Sequence, residues 1–276
     1  MPILFKCRDG VVPLDVQEHS MNTRPLLLCS VCLALLVGCT ATGPSAAERR
    51  LMEGEIPACK ATTPSNRLTA AWWKARLESQ EAQAKTQHDT VLIGDSITHN
   101  WDTIAPDLQK QYFGDVLNLG ISGDKTQDVL WRIARIDWQV VAPKRIMLMI
   151  GTNNTGHHPS ETPENTFEGI RAILRYLRQH CPQAKITVLA IFPRAQDANH
   201  PMRKTNDAIN AQLRRLADGK HVFFRDISAY YLLPDGRTLN TAILPDQLHP
   251  NKEGHRLWAA ATAYDFLHDY APEAAE

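Results

Sequence analysis

From residue 90 onward, the chain alternates short apolar runs with longer segments whose apolar residues recur at helical spacing. The apolar runs have the length and β-branched character of buried strands. They cover 91–93, 116–121, 145–150, 185–192 and 221–227. Helical spacing is found over 104–112, 126–136, 163–180, 202–216 and 252–270. Strands joined by helices of this length need crossover connections, so we predict an α/β domain with three layers, in which helices cover both faces of a five-stranded parallel sheet.

We expect this domain to span residues 67–272 and to include a further helix over 68–87, ahead of the first strand. That segment is rich in Ala, Glu, Gln and Lys. Its apolar side is predicted to contain Trp72, Trp73 and Leu77, which is the pattern of an amphipathic helix packed on a core. We therefore interpret the two tryptophans as packing residues rather than ligand-binding residues.

The segment before the domain has the pattern of an export signal. A basic start at Met21 is followed by the apolar residues 26–37 and then by Gly38-Cys39. Leu36-Val37-Gly38-Cys39 also resembles the bacterial lipobox, in which the cysteine is lipidated. We therefore expect a lipoprotein signal peptide over 21–38 and lipidation at Cys39. A single signal-anchor helix is less favoured, because the apolar run is short for a membrane span.

This interpretation predicts a location in the bacterial cell envelope. Lipid on Cys39 would anchor the protein to a membrane, on the outer membrane facing the periplasm or the surface, with residues 39–66 as a tether. Residues 1–20 carry charges that are unusual ahead of a signal, so we interpret them as a non-native extension and Met21 as the true start. A soluble cytoplasmic enzyme is the alternative if Met21 is not the start and the apolar run 26–37 is a helix of the fold.

Charge and cysteine content restrict the partners and cofactors that we expect. Lys+Arg and Asp+Glu both number 30, so the chain lacks the basic excess of a nucleic-acid-binding surface. Of the six cysteines, only Cys59 and Cys181 lie beyond the predicted lipidation site. Neither has a metal-ligand spacing, so no metal is expected. An exported chain with two such cysteines can form a disulfide, and the sequence leaves this pairing open.

Polar residues follow the ends of the first three predicted strands. They are Asp95-Ser96, Gly120-Ile-Ser-Gly123 and Gly151-Thr-Asn-Asn154, and Asp246-Gln-Leu-His249 precedes the last helix. The carboxyl ends of parallel strands meet at one edge of a sheet, where ligands bind. These are also the groups that acyl transfer needs: a serine nucleophile, a histidine base, a carboxylate that orients it, and donors for an oxyanion.

Each signal alone has an ordinary structural explanation. Asp95 or Ser96 could simply cap the next helix, and Asn153 could stabilise a turn. Four such elements at the loops of one α/β chain favour catalysis. The elbow Gly-x-Ser-x-Gly of ordinary α/β-hydrolases is absent, because Thr98 stands where its second glycine would be.

Gly94-Asp95-Ser96-Ile97 resembles the first block of the SGNH, or GDSL, hydrolases, with Ile in place of Leu. The blocks around Gly123, at 151–153 and at 246–249 resemble the other three. Segments 118–133 and 150–154 are similar to the catalytic subunits of the intracellular platelet-activating-factor acetylhydrolases. The resemblance covers roughly residues 90–267.

The resemblance implies a flavodoxin-like fold and a catalytic triad of Ser96, Asp246 and His249. It implies an oxyanion hole made by the N–H of Ser96, the N–H of Gly123 and the amide of Asn153. It implies no metal or organic cofactor. Because the catalytic subunits of those enzymes pair, it is also compatible with a homodimer.

Two departures limit the transfer. Those enzymes are cytosolic, whereas this chain has an export signal, so their phospholipid substrate is not carried over. The flanking residues His99, Trp101, His157 and His158 need not preserve the acyl pocket. We predict a serine esterase that hydrolyses short-chain O-esters, acetyl esters first, on a small molecule or polysaccharide, with carbohydrate favoured. The alternatives are a phospholipid or lysophospholipid acyl hydrolase and a non-catalytic envelope binding protein of the same fold.

Overall fold

The computed structural model describes residues 43–156 and 161–267, with only the backbone for 264–267. Several predictions lie outside these residues. They are the extension 1–20, the signal peptide 21–38, the lipidation of Cys39, and the two loop histidines His157 and His158. Within the described ranges, no helix is both long and apolar enough to cross a membrane.

The centre of the molecule is a five-stranded sheet. Its strands are β1 (Thr90–Gly94), β2 (Val116–Gly120), β3 (Arg145–Met149), β4 (Lys185–Leu189) and β5 (Val222–Arg225). They lie in the order β2-β1-β3-β4-β5, and every neighbouring pair is parallel. The predicted three-layer α/β fold with a five-stranded parallel sheet is confirmed.

Helices connect the strands and cover both faces of the sheet. The α-helices are α1 (Ala46–Met52), α2 (Ala71–Gln83), α3 (Ser96–His99), α4 (Trp101–Ile104), α5 (Pro106–Phe113), α6 (Thr126–Ile133), α7 (Trp138–Val141), α8 (Thr152–Gly156), α9 (Pro163–His180), α10 (Pro201–Arg214) and α11 (Lys252–Leu267). Two 3₁₀ turns lie at Lys60–Thr62 and Ser228–Tyr231. The segment 163–180 is helical as predicted, with Thr162 accepting the N–H of Asn165 as its cap.

Successive residues of each strand enter opposite faces of the sheet and supply two separate cores. Val91 and Ile93 belong to the core that α6, α9 and α10 complete. Leu92 belongs to the core on the other face, where Trp101 and Trp258 pack. A strand that is buried on both faces has a continuous apolar sequence, and the apolar runs therefore predicted the positions of the strands.

Some boundaries differ from the predictions. The strand predicted over 185–192 ends at Leu189. Beyond it, the side chain of Asn210 on α10 accepts a hydrogen bond from the N–H of Ile191 and donates one to its C=O, in place of a neighbouring strand. Ile191 is nevertheless buried. The helix predicted over 68–87 covers only Ala71–Gln83. Its two tryptophans also differ: Trp73 is fully buried, whereas Trp72 is 51% exposed. The assignment of Trp72 to the apolar side was wrong.

The predicted tether over 39–66 is not a free linker in its described part. It contains α1 and the 3₁₀ turn, and Leu51 and Ala61 are buried. Arg171 and Arg175 of α9 donate hydrogen bonds to backbone carbonyls between residues 50 and 55. The tether assignment failed because a short polar segment can be held by partners more than one hundred residues away, which leaves no periodic signal in its own sequence.

The cysteine pair that the sequence left open consists of two free thiols. Cys59 is partly buried and Cys181 is buried. Burial raises the pKa of the Cys181 thiol to about 12, so this thiol stays protonated at neutral pH.

Candidate active site

The end of β1 places Ser96 at the start of a helix. Asp95 is the cap of α3 and accepts the N–H of Ile97 at 3.0 Å, so Ser96 is the first helical residue. Gly94 has no room for a side chain, because a Cβ there would collide with Thr98 and the carbonyl of Met149. The capping role therefore belongs to Asp95, and Ser96 is left partly exposed with its hydroxyl available for other contacts.

Ser96, His249 and Asp246 form a continuous hydrogen-bonded relay. The Oγ of Ser96 lies 2.9 Å from Nε2 of His249, and Nδ1 of His249 lies 2.6 Å from Oδ2 of Asp246. A proton on Nδ1 faces the carboxylate, which leaves Nε2 free to accept the proton of the serine hydroxyl. The structure thus brings together two sequence segments that are 153 residues apart.

The carboxylate of Asp246 is held in place by its own turn. Its Oδ1 accepts the N–H of Leu248 at 3.0 Å and the N–H of His249 at 2.7 Å. Burial raises the pKa of Asp246, but the hydrogen bonds from the His249 side chain and backbone outweigh it and leave the pKa below its usual value. Asp246 therefore remains ionised at neutral pH, as a group that stabilises an imidazolium must.

The turn that carries Asp246 and His249 is fastened to the loop after β4. Gln247 and Ala195 both have positive φ, at 61° and 63°, which is unfavourable for residues with a Cβ. The N–H of Ala195 donates to the Gln247 carbonyl at 3.3 Å, and the N–H of Gln196 donates to Oε1 of Gln247 at 3.1 Å. These contacts hold two strained residues beside the relay.

The two predicted oxyanion loops lie on either side of β1. Gly94 pairs in register with Gly120 on β2 and with Met149 on β3, so the loops that follow these three strands start at one edge of the sheet. Gly123 has a φ of 76°, a conformation that glycine adopts without cost. Asn153 is 4% exposed and donates through Nδ2 to the carbonyl of Asp124 at 2.9 Å. That bond uses one of the two amide hydrogens and leaves the other to donate.

A buried ion pair that sequence reasoning missed joins these loops. Arg132 of α6 donates from Nε to Oδ2 of Asp124 at 2.7 Å and from Nη2 to the carbonyl of Gly94 at 2.9 Å. Trp73 donates from Nε1 to the other oxygen of Asp124 at 2.6 Å. Burial raises the pKa of Asp124 to about 6, against the lowering effect of Arg132. The available signal was a charged residue, Arg132, on the apolar side of a helical pattern.

A second missed residue, Arg194, follows β4. Its Nη1 donates to the carbonyl oxygen and the hydroxyl of Thr152, at 2.9 and 3.1 Å, and so braces the loop that carries Asn153. Burial lowers the pKa of Arg194, and the negative charges of Asp95 and Asp246 raise it. Arg194 therefore lies in the field of the carboxylates that flank Ser96 and His249.

The flanking residues named from the sequence have different environments. His99 contacts the Ser122 hydroxyl through Nδ1 at 3.1 Å, and burial lowers the pKa of its imidazole. Trp101 is fully buried and packs on Phe113 and Trp258, so it is a core residue and does not line the site. In the described part of the chain, no group of three or more His, Cys, Asp or Glu residues could hold a metal ion.

Comparison with known proteins adds to this geometry. A family model described as "GDSL-like Lipase/Acylhydrolase family" matches residues 92–257. Platelet-activating factor acetylhydrolase IB subunit alpha1 of Rattus norvegicus is 32% identical over 207 residues, which are 74% of this chain and 86% of the relative. The human subunit alpha1 is 32% identical over 205 residues, or 73% and 85% of the two chains.

Solved structures share the fold at lower identity. A GDSL-like lipase of Bacteroides thetaiotaomicron has a TM-score of 0.58 and 19% identity, covering 71% of this chain and 96% of its own. A variant of an acetyl-xylooligosaccharide esterase from Geobacillus has a TM-score of 0.53 and 20% identity, covering 69% and 100%.

Proposed function

The chain belongs to the GDSL-like lipase/acylhydrolase family and is a carboxylic ester hydrolase, and we propose that it removes short acyl groups, acetyl first, from O-esters of carbohydrates. The family was predicted from the sequence blocks and is confirmed. The curated relatives are named acetylhydrolases, and one structural neighbour is named an acetyl-xylooligosaccharide esterase. These names support the acetyl group and the carbohydrate.

The observation that carries the catalytic part of the proposal is the unbroken relay from Ser96 through His249 to Asp246. The Oγ of Ser96 attacks the carbonyl carbon of the ester, and its proton passes to Nε2 of His249. The carbon–oxygen bond to the alcohol then breaks, and His249 gives the proton to the leaving oxygen. The acyl group stays on Ser96 as an ester.

Water completes the cycle in the same site. A water molecule attacks the acyl carbon and gives one proton to Nε2 of His249. The bond to Ser96 breaks, Oγ recovers that proton, and the carboxylic acid leaves. In this scheme the ionised Asp246 keeps its hydrogen bond to Nδ1 and stabilises the positive imidazolium in both halves.

The oxyanion that forms twice in this cycle needs donors at fixed positions. We assign this role to the N–H groups of Ser96 and Gly123 and to the Asn153 amide. The bonds from Asn153 to the Asp124 carbonyl and from Arg132 to Asp124 and Gly94 support this assignment, because they hold the donor groups before the substrate arrives.

The surroundings of the relay suit a hydroxylated alcohol. The Asp246 side chain is 56% exposed and that of His249 is 31% exposed. Arg194 interacts electrostatically with Asp246, and the polar Ser122, which contacts His99, directly precedes the proposed oxyanion donor Gly123. Sugar hydroxyls can exchange hydrogen bonds with such groups, whereas a long acyl chain gains most from apolar walls.

The test is hydrolysis of p-nitrophenyl esters, from acetate to palmitate, by the full chain and by Ser96→Ala. We expect the rate to be highest with acetate, to fall with chain length, and to vanish in the variant. A maximum at a long chain would overturn the short-acyl assignment. Equal rates in both proteins would overturn the role of Ser96.

We also propose that residues 21–38 direct export and that Cys39 carries lipid, on the strength of their sequence pattern alone. Expression in a bacterium fed a labelled fatty acid tests this. The chain should become labelled and fractionate with membranes, and Cys39→Ser should do neither. Label in the Cys39→Ser variant would show that another group carries the lipid.

A further inference from the structure

The two adjacent tryptophans at the start of α2 have opposite environments. Trp73 is fully buried and donates its indole N–H to Asp124, the residue after Gly123. Neighbouring helical residues point about 100° apart, so this anchor turns Trp72 toward the surface. Trp72 is 51% exposed, among the largest exposed fractions of the apolar side chains described. A large exposed aromatic group on an anchored helix is a preorganised contact surface.

Arg67 connects Trp72 to the proposed oxyanion loop. Its Cζ lies 5.1 Å from the centroid of the Trp72 ring. Its Nη1 donates to the Ser122 carbonyl at 2.9 Å, and a Cβ built on Gly123 would lie 2.9 Å from that same nitrogen. The guanidinium therefore contacts both the indole of Trp72 and the Gly123 loop.

Arg67 also keeps donors for a ligand. Its side chain is 33% exposed, and its hydrogen bond to the Ser122 carbonyl and its 3.7 Å ion pair with Oδ1 of Asp124 both use Nη1. Within the described residues, Nε and Nη2 have no hydrogen-bond acceptor in the protein. Arg67 and Trp72 thus present an aromatic surface and unused N–H groups side by side.

We propose that Trp72 and Arg67 form a sugar-binding subsite for the alcohol part of the ester, an inference that rests on the proposed esterase function. The C–H face of a pyranose ring packs on the exposed indole of Trp72. Hydroxyl groups of the same sugar accept hydrogen bonds from Nε and Nη2 of Arg67. Since an acetyl group has only two carbons, the alcohol is the part of the substrate that extends past the Gly123 loop.

The positive charge of Arg67 determines which class of ligand fits this subsite. An aromatic ring beside open solvent could also bind a quaternary ammonium group, but the guanidinium of Arg67 on the same ring repels a second cation. A hydrocarbon chain over the partly exposed Arg67 would desolvate its N–H groups without supplying acceptors, which is costly. A neutral polyol carries no positive charge and supplies hydroxyl acceptors for the N–H groups of Arg67.

The subsite lies outside the part of the chain that the family model matches. That match begins at residue 92, whereas Arg67 and Trp72 precede β1. The residues proposed for the chemistry lie within the match, from Ser96 to His249. The subsite therefore lies N-terminal to the residues that this family model matches.

The experiment compares two acetyl esters that differ in their alcohol. The value of kcat/KM is measured with p-nitrophenyl acetate and with an O-acetylated xylo-oligosaccharide, for the wild type, Trp72→Ala, Trp72→Phe and Val140→Ala. Val140 is a matched control, 42% exposed on α7 ahead of β3, at the opposite edge of the sheet. The readout is the ratio of kcat/KM for the sugar ester to kcat/KM for the small ester.

We expect Trp72→Ala to lower this ratio about tenfold, a loss of about 1.4 kcal/mol of preferential binding, mainly through a higher KM for the sugar ester. Trp72→Phe should lower the ratio less, and Val140→Ala should not change it. An unchanged ratio in Trp72→Ala would overturn the subsite, and so would an equal loss with both esters, which indicates a structural role.

A binding measurement separates failure of the subsite from failure of the proposed function. Ser96→Ala and Ser96→Ala/Trp72→Ala are titrated with the same acetylated oligosaccharide by calorimetry. If Ser96→Ala binds the oligosaccharide and Ser96→Ala/Trp72→Ala does not, the result supports the subsite. Equal binding by both proteins overturns the subsite while leaving the esterase intact. If the wild type hydrolyses p-nitrophenyl acetate but Ser96→Ala does not bind the sugar ester, both the carbohydrate substrate and the subsite are overturned.

Discussion

Arg67 donates a hydrogen bond from Nη1 to the carbonyl oxygen of Ser122, at 2.9 Å. That carbonyl belongs to the peptide group whose N–H is the N–H of Gly123, one of the proposed oxyanion donors. A charged donor on the oxygen of a peptide draws electron density from its nitrogen and makes the N–H a stronger donor. It also fixes the plane of the peptide. Arg67 can therefore act on the oxyanion without touching it.

We expect Arg67→Met to lower kcat for every ester, including p-nitrophenyl acetate, by about tenfold. Loss of an entire oxyanion donor costs about 10²–10³ in kcat, and a weakened donor should cost less. Arg67→Lys keeps a charge but loses the planar fork, so its kcat should fall between those of the wild type and Arg67→Met.

Arg256→Met is the matched control for this change, because Arg256 pairs with Glu253 on the surface of α11. Its kcat should equal that of the wild type. If Arg67→Met loses activity only with sugar esters, Arg67 serves the substrate alone and does not polarise the Gly123 peptide.

Asn153→Ala should lower kcat with p-nitrophenyl acetate by about 10²–10³, the range found when one oxyanion donor is removed. The KM should change little, since the amide would bind the oxyanion rather than the ground-state carbonyl. Steady-state kinetics with a circular-dichroism check of folding measures this. Full activity in Asn153→Ala would show that the amide only holds the Asp124 loop through its 2.9 Å bond.

Asp95 is expected to make the protein less stable as the pH rises. It is fully buried beside Ser96, and its Oδ2 has no hydrogen-bond partner in the described part of the chain. Burial raises the pKa of Asp95 from 3.8 to about 7. Because the raised pKa belongs to the folded state, the folded protein holds a proton that the unfolded chain has lost between about pH 4 and pH 7. Stability therefore falls as the pH rises through this window.

Asp95→Asn should remove this pH dependence while keeping an oxygen to cap Ile97. Urea unfolding at pH 4.5 and pH 8 measures it: the variant should gain stability relative to the wild type mainly at pH 8, by up to about 4 kcal/mol, because the pKa of Asp95 is about 7 in the folded state and 3.8 in the unfolded chain. Asp235→Asn is the control, because hydrogen bonds from Thr238 lower the pKa of that exposed carboxyl to about 2. Asp235→Asn should not change the slope of unfolding free energy against pH above pH 5. An Asp95→Asn curve parallel to the wild type would contradict the prediction.

Arg175→Met should release the N-terminal segment from α9. Arg175 donates to the backbone carbonyls of Leu51, Glu53 and Gly54, each near 2.9 Å. Losing bonds from a charged donor should cost about 1–3 kcal/mol of unfolding free energy and open the segment to protease. Limited proteolysis with mass spectrometry locates the cuts, which we expect between residues 43 and 57.

The control is again Arg256→Met, because the ion pair of Arg256 with Glu253 is exposed to solvent and should contribute little to stability. If Arg175→Met is cut no faster than this control, the buried side chain of Leu51 holds the segment and the three hydrogen bonds do not.

The prediction from the sequence succeeded wherever a local pattern carries the information. The strand around Val91–Ile93 is buried on both faces, so it reads as an apolar run, and α9 has its cap and its apolar spacing within one segment. It failed at α1, which is held by Arg171 and Arg175, and at Trp72, whose neighbour Trp73 has the same side chain and the opposite environment. Asp124 and Arg132 were missed because the position of Arg132 on the apolar side of a helical pattern indicates only that it is buried, whereas its pairing with Asp124 depends on the tertiary structure.

The sequence by itself determined the alternation of strands and helices, the family, and the candidate residues Ser96, Gly123, Asn153, Asp246 and His249. Hydrophobic periodicity and short motifs are properties of neighbouring residues, so they can be read without a structure. Only the tertiary structure decided the 2.9 Å approach of Ser96 to His249 and the contact of Arg67 with Ser122. These two contacts join residues that are 153 and 55 positions apart in the chain. A pattern of neighbouring residues does not show which distant residues will meet.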